Sequence, residues 1–295
     1  MKDEKFEEGN EGTNPKIVEE NEKNEILVND FRESNFKEPK TFTLKHKIII
    51  IVGVSLIIIG IATVVTLILL KKGDVEVLPP VIIEPTSEYT HCIIWLHGYD
   101  NCPENFISLF GDEIPFMKKN NTKIILMRAP NQTVTYSNET TTSWFDILRM
   151  PINASDTYNF NDVIQSRKVL EKVINQEAKL LNGKYQNIYV GGHSQGACVS
   201  LYTAYNFEEL LGGVLVCSGV LFPQAEIVGD KNKLKVFLGH GYRDLAIPMY
   251  FHNETVKRIE NYEGVQKFYY EKMGHNIGDD EKFDMGGFLN ILNVN

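Results

Sequence analysis

A chain of 295 residues, 43% hydrophobic and 23% charged, is long enough to bury one substantial core and has the composition of a folded protein. Its net charge of −9 is spread over both ends of the chain, so no basic surface is available for nucleic acid. No His-Glu-x-x-His, no clustered His/Cys ligands, no Cys-x-x-Cys among the four cysteines and no Gly-x-x-x-x-Gly-Lys loop occur, so neither metal nor cofactor is expected.

Residues 1–47, rich in Glu, Asn and Lys without periodicity, read as a disordered cytoplasmic tail. Ile48 to Leu70 follows without one charged residue; at about 34 Å as a helix it predicts a single transmembrane span over 48–70. Arg32, Lys37, Lys40, Lys45 and Lys47 precede it and only Lys71 and Lys72 follow closely, so the positive-inside rule predicts a type II single-pass protein with a lumenal or extracellular carboxy-terminal domain. Asn-x-Ser/Thr triplets at Asn120, Asn131, Asn138, Asn153 and Asn253 all lie beyond the span and agree with a glycoprotein ectodomain. Residues 71–89, with Pro79, Pro80 and Pro85, read as a stalk carrying an edge strand at Val81 to Ile83.

From residue 90 to the end the pattern is regular. Apolar runs at His91–Leu96, Lys123–Met127, Ile188–Val190, Gly213–Val216, Lys235–Leu238 and Lys267–Tyr270 predict strands. Helical patterns alternate with them at Pro103–Phe110, Phe160–Leu181, Gln195–Asn206, Met249–Asn261 and Asp280–Leu292. Such alternation predicts an α/β fold, a mostly parallel sheet with helices on both faces and reactive groups at the carboxyl ends of the strands. Cys92, Cys198 and Cys217 fall inside apolar runs and read as buried free thiols.

The centre of the pattern is Gly192-His193-Ser194-Gln195-Gly196, between a β-branched run and a helix. A serine at a tight strand-to-helix turn stands clear of the sheet, and small residues two before and two after let the backbone fold back. Asp244 follows the strand that ends at Leu238, and His275 follows the strand that ends at Tyr270, so nucleophile, acid and base occur in the order Ser194, Asp244, His275. A hydroxyl needs an imidazole to take its proton, and the imidazole needs a carboxylate to hold its tautomer. The backbone N–H groups of Gln195 and Tyr99 supply the expected oxyanion donors. His97 and His240, in Gly-flanked turns, read as loop-fixing; His193 reads as packing beside the strand, and His252 as surface or packing on a helix.

Leu96-His97-Gly98, Arg128-Ala129-Pro130, Ser143-Trp144-Phe145-Asp146-Ile147, Gly191 to Gly196, His240-Gly241 with Asp244 to Pro248, and Met273-Gly274-His275 recur together here. At these residues the chain from roughly Thr90 onward resembles the phospholipase/carboxylesterase family that includes the acyl-protein thioesterases and lysophospholipases. The resemblance implies an α/β-hydrolase without a large lid, Ser194, Asp244 and His275 as triad, Tyr99 and Gln195 as oxyanion donors, and an apolar acyl cleft near Trp144 and Phe145. The chain departs from the family at Tyr99-Asp100-Asn101, where Leu-Gly-Asp is usual, at His193, where phenylalanine is common, and at Tyr242, where aspartate is common.

The expected function is a membrane-anchored serine hydrolase that cleaves acyl esters or thioesters of lipids or proteins through an acyl-enzyme. Two alternatives stand beside it: an inactive hydrolase-fold ectodomain for binding, and a cytoplasm-facing protein depalmitoylase.

Overall fold

The computed structural model describes residues 79–114 and 120–292. The tail over 1–47, the span over 48–70 and the first part of the stalk lie outside the described residues. Among those described, no helix is long and apolar enough to cross a membrane.

Nine strands form. They are β1 (Val81–Ile83), β2 (His91–Leu96), β3 (Thr122–Met127), β4 (Asn131–Val134), β5 (Glu139–Thr142), β6 (Ile188–His193), β7 (Gly213–Cys217), β8 (Lys235–Gly241) and β9 (Val265–Tyr270). Seven make one sheet in the order β1-β3-β2-β6-β7-β8-β9, with every neighbour pair parallel except β1 and β3. The edge strand expected within the stalk is therefore a member of the main sheet. The chain builds outward from β2 to β3, then crosses to β6 on the other side of β2 and continues to β9. The order thus reverses between β2 and β6, and the crevice at their carboxyl ends is where such sheets hold ligands.

Side-chain alternation sorts the strands onto two cores. Cys92, Ile94 and Leu96 of β2 face one, and Ile93 and Trp95 face the other. The first is covered by α1 (Phe160–Leu180), α2 (Gln195–Asn206) and α3 (Met249–Ile259). The second is covered by Met285, Phe288 and Leu289 of α4 (Asp279–Leu292) and by Phe106, Leu109 and Phe110. In α1 the buried Val163, Ser166, Leu170, Ile174 and Ala178 recur every three to four residues, the stripe of an amphipathic helix, and the Asn159 side chain caps it by accepting from the Asn161 N–H at 3.1 Å. No residue of α2 except its last is more than slightly exposed, as its apolar sequence requires.

One expectation needs correcting. The helix over Pro103–Phe110 is instead a 3₁₀ turn, Pro103–Phe106, and a π-helical turn, Leu109–Glu113. The missed elements are β4 and β5, a two-stranded antiparallel hairpin outside the main sheet. All four cysteines are free, and Cys92, Cys198 and Cys217 are buried as expected.

Candidate active site

Ser194 follows β6 directly and caps α2, with φ 57° and ψ −121°. A non-glycine residue in that region is strained, and here the turn is pinned from both sides: the Ser194 N–H donates to Cys217 O and its carbonyl accepts from the Cys198 N–H, each at 3.0 Å. The flanking glycines serve close approach, with neither at positive φ. A β carbon on Gly192 would collide with Gly196, Ala197 and the Leu96 carbonyl, and one on Gly196 would overlap the Leu96 and His97 carbonyls. The elbow can therefore sit against the end of β2 only with hydrogen at both positions.

His275 stands opposite. Its Nε2 is 2.7 Å from Ser194 Oγ and its Nδ1 is 2.7 Å from Asp244 Oδ2. The Asp244 side chain is sealed from solvent, and its other oxygen accepts the N–H groups of Ala246 at 2.9 Å and Ile247 at 2.8 Å. Burial pushes this carboxyl up, yet the His275 hydrogen bond and charge, the Ile247 N–H and His240 together hold it below the ordinary aspartate range. Asp244 thus stays charged and orients Nδ1–H, which leaves Nε2 free to take the serine proton. The sequence put these three residues 81 positions apart at most, and the sheet brings them into one line.

The expected oxyanion residues border the same hydroxyl. Gln195 opens α2, so its N–H has no acceptor within the helix. Its side chain turns into the core: Oε1 accepts from the Trp144 N–H at 3.0 Å, and Nε2 donates to Phe145 O at 2.8 Å. Tyr99 lines the cleft with Ser194, and its hydroxyl donates to Ser137 at 2.9 Å. Asp100 stands where the resemblance leads one to expect glycine and adopts a left-handed backbone, φ 52°, as one of the few side chains that tolerates it. The β4–β5 hairpin fixes this loop, because Thr142 O accepts from the Asp100 N–H at 3.0 Å and Thr142 Oγ1 donates to Asn101 O at 2.6 Å.

Trp144 and Phe145 do not reach the cleft. They are 2% and 0% exposed, with the Trp144 indole N–H donated to His97 O at 2.8 Å and Phe145 stacked edge-on against Phe222. The cleft of about 140 Å³ beside Tyr99, Ser194 and His275 is lined instead by Ile147, Met150, Ile152, Ala246 and Ile247. Ile147 lay inside the matching stretch Ser143 to Ile147; the rest belong to irregular chain that carries no periodic signal.

Four other histidines, His97, His193, His240 and His252, behave as neutral rings. His97 Nε2 accepts the Ala129 N–H at 3.1 Å, so its Nδ1 carries the proton and donates to Gly98 O at 2.7 Å; burial lowers it to about 4. His240 meets Ile247 O at 2.8 Å and holds the acid's loop. His193 packs on the His275 ring with centroids 5.0 Å apart, and burial, then the charge of His275, brings it down to about 3. His252 is not at the surface: it is fully buried against His240. No group of metal ligands occurs among the described residues.

A parallel sheet with a strained serine between strand and helix, an imidazole on its oxygen and a carboxylate behind, defines an α/β-hydrolase. A family model described as Phospholipase/Carboxylesterase matches residues 79–293, and the chain belongs to that family of ester and thioester hydrolases. Acyl-protein thioesterase 1 of Yarrowia lipolytica is 27% identical over 219 residues, covering 72% of this chain and 96% of that protein. Acyl-protein thioesterase 1 of Saccharomyces cerevisiae is 28% identical over 213 residues, with 67% and 90% covered. The crystal structure of Arabidopsis thaliana SOBER1 shares the fold, with a TM-score of 0.62 at 20% identity over 69% of this chain and 99% of that one. Esterase PE8 does so with a TM-score of 0.62 at 21% identity over 73% and 99%.

These findings overturn the expected localisation. The relatives are named as acyl-protein thioesterases, so a type II protein with a lumenal or extracellular catalytic domain is not what the comparisons support. The Asn-x-Ser/Thr triplets then lose their meaning as marks of an ectodomain.

Proposed function

We propose that the chain is a serine hydrolase that removes S-linked acyl groups from proteins and cleaves related carboxylic esters, with Ser194 as nucleophile, His275 as base and Asp244 as orienting acid. The observation that carries the reading is the unbroken relay from Asp244 Oδ2 through His275 to Ser194 Oγ, 2.7 Å at each step. Ser194 attacks the thioester carbonyl as His275 takes its proton, and the N–H groups of Tyr99 and Gln195 hold the oxyanion. Collapse expels the thiol, which receives the proton from His275. Water, deprotonated by the same imidazole, then attacks the acyl-enzyme and releases the carboxylic acid.

The relatives' names favour a thioester on a protein over a lysophospholipid. This supports the cytoplasm-facing alternative, with which four free cysteines agree, since thiols stay reduced in that compartment. An inactive binding module has no support in a site whose three polar side chains remain joined. The test is turnover of an S-acylated peptide and of an ester by the purified chain. Ser194→Ala should lower it by roughly a million-fold. A Ser194→Ala protein that retains more than about a hundredth of the activity would remove the proposal.

A further inference from the structure

We infer that Trp144 is a positioning residue for the oxyanion site: it ties together the two backbone segments that carry the N–H groups of Tyr99 and Gln195, and so fixes the gap between them, without touching substrate itself. This rests on the reading of those two N–H groups as the oxyanion donors. Two donors on separate segments act on one oxygen only while their spacing holds, since the oxyanion must lie within about 3 Å of both. Tyr99 stands on the loop after β2, and Gln195 opens α2.

Trp144 joins them. Its backbone N–H donates to Gln195 Oε1 at 3.0 Å, and its indole N–H donates to His97 O at 2.8 Å. The first bond decides which way the Gln195 carboxamide faces, because an N–H can meet only its oxygen. Nε2 then donates to Phe145 O at 2.8 Å and to Ser143 Oγ at 3.0 Å, so the carboxamide is held at both ends. The second bond reaches the loop just before Tyr99. His97 passes it on: its Nδ1–H donates to Gly98 O at 2.7 Å, and that carbonyl shares a planar peptide with the Tyr99 N–H. Fixing one end of the peptide aims the other. The Gln195 N–H is aimed in the same way, through Ser194 O and the Cys198 N–H at 3.0 Å.

The loop is bounded on its other sides as well. A β carbon on Gly98 would stand 3.2 Å from the Ser194 β carbon, so the loop already lies against the elbow, and Thr142 holds it beyond Tyr99, at Asp100 and Asn101. Trp144 has no polar group left for another task. Its carbonyl accepts from the Ser166 hydroxyl of α1, and the residue is 2% exposed. Burial alone does not impose such an arrangement: Trp95 is buried as deeply, and its indole N–H meets no acceptor among the described residues.

The experiment compares an alkyl trifluoromethyl ketone with the matching methyl ketone as inhibitors of the purified chain. Ser194 Oγ adds to the carbonyl carbon of the trifluoromethyl ketone, its proton passes to His275, and the carbonyl electron pair becomes an oxyanion that draws on both donors. The methyl ketone adds far less readily and reports ordinary binding. Trp144→Phe, which keeps an aromatic ring and removes the indole N–H, should cut the preference for the trifluoromethyl ketone by about 10- to 100-fold and lower kcat by a similar factor, with KM little changed. Benzothienylalanine at position 144, which puts sulfur in place of the N–H within the same ring shape, should do the same without loss of core volume. The acid limb of the kcat/KM pH profile, which reads His275, should stay where the wild type has it. A preference that neither variant changes, or an acid limb that moves in both, would overturn the inference and leave the two donors standing. A wild-type chain that binds the two ketones equally would remove the donors, and the inference with them.

Discussion

At the scale of single residues, the elbow demands hydrogen rather than a side chain at Gly192 and Gly196, because a β carbon on either would overlap the Leu96 carbonyl at the end of β2. Gly196→Ala should therefore destabilise the fold by about 3 kcal/mol or more, with loss of activity, measured as the shift in urea midpoint together with turnover. A different residue governs the alkaline side. Glu281 is fully buried beneath Gly239, and burial raises its carboxyl to about 8. Between its ordinary value of 4.5 and that value the folded chain holds a proton the unfolded chain has released, so stability falls as pH rises, by about 1.4 kcal/mol per pH unit. Glu281→Gln, a neutral isostere, should be more stable than the wild type at pH 8, and the difference should vanish toward pH 4.5. Equal urea midpoints at both pH values would refute this.

At the scale of elements, the β4–β5 hairpin is what the loop at Tyr99 to Asn101, the proposed oxyanion loop, leans on. Thr142→Val keeps the volume but removes the bond to Asn101 O, so it should cost about 1 kcal/mol of stability and lower kcat by up to about 100-fold with little change in KM. Sequence patterning could not reveal this hairpin. Asn131–Val134 and Glu139–Thr142 are polar and Thr-rich, pair only with each other and bury little but Val134, so no apolar alternation marks them. The central strands β2, β3, β6, β7 and β8 were legible because burial on both faces makes each an apolar run, and Ser194, Asp244 and His275 were legible because each follows a strand pattern. Trp144 and Phe145 misled for the converse reason. Their pattern gives no direction, and only the Gln195 carboxamide, reaching from α2 to the Trp144 N–H and the Phe145 carbonyl, reveals that both rings turn inward. The true cleft liners lie in irregular chain over 147–152 and 246–247, placed by long-range backbone bonds that no local spacing encodes.

At the scale of the whole molecule, the described residues pack four neutral imidazoles, His97, His193, His240 and His252, around and beneath Asp244 and His275. Burial lowers all four, His97 to about 4 and His193 and His252 to about 3. Each then binds its proton in the unfolded chain first, from the ordinary value of 6.5 downward, so the stability it confers is complete above that pH and drains away on acidification. The urea midpoint should fall steeply below pH 6.5, and His252→Phe, which removes one such group, should flatten that fall; an unchanged slope would count against it. The central claim is about chemistry at one oxygen, and a fluorophosphonate probe reads that chemistry directly. Mapping the modified residue of the purified chain by mass spectrometry should find the label on Ser194, absent in Ser194→Ala and much slower to form in His275→Gln. A folded chain that stays unlabelled, or one labelled on another serine to the same extent after Ser194→Ala, would contradict the account.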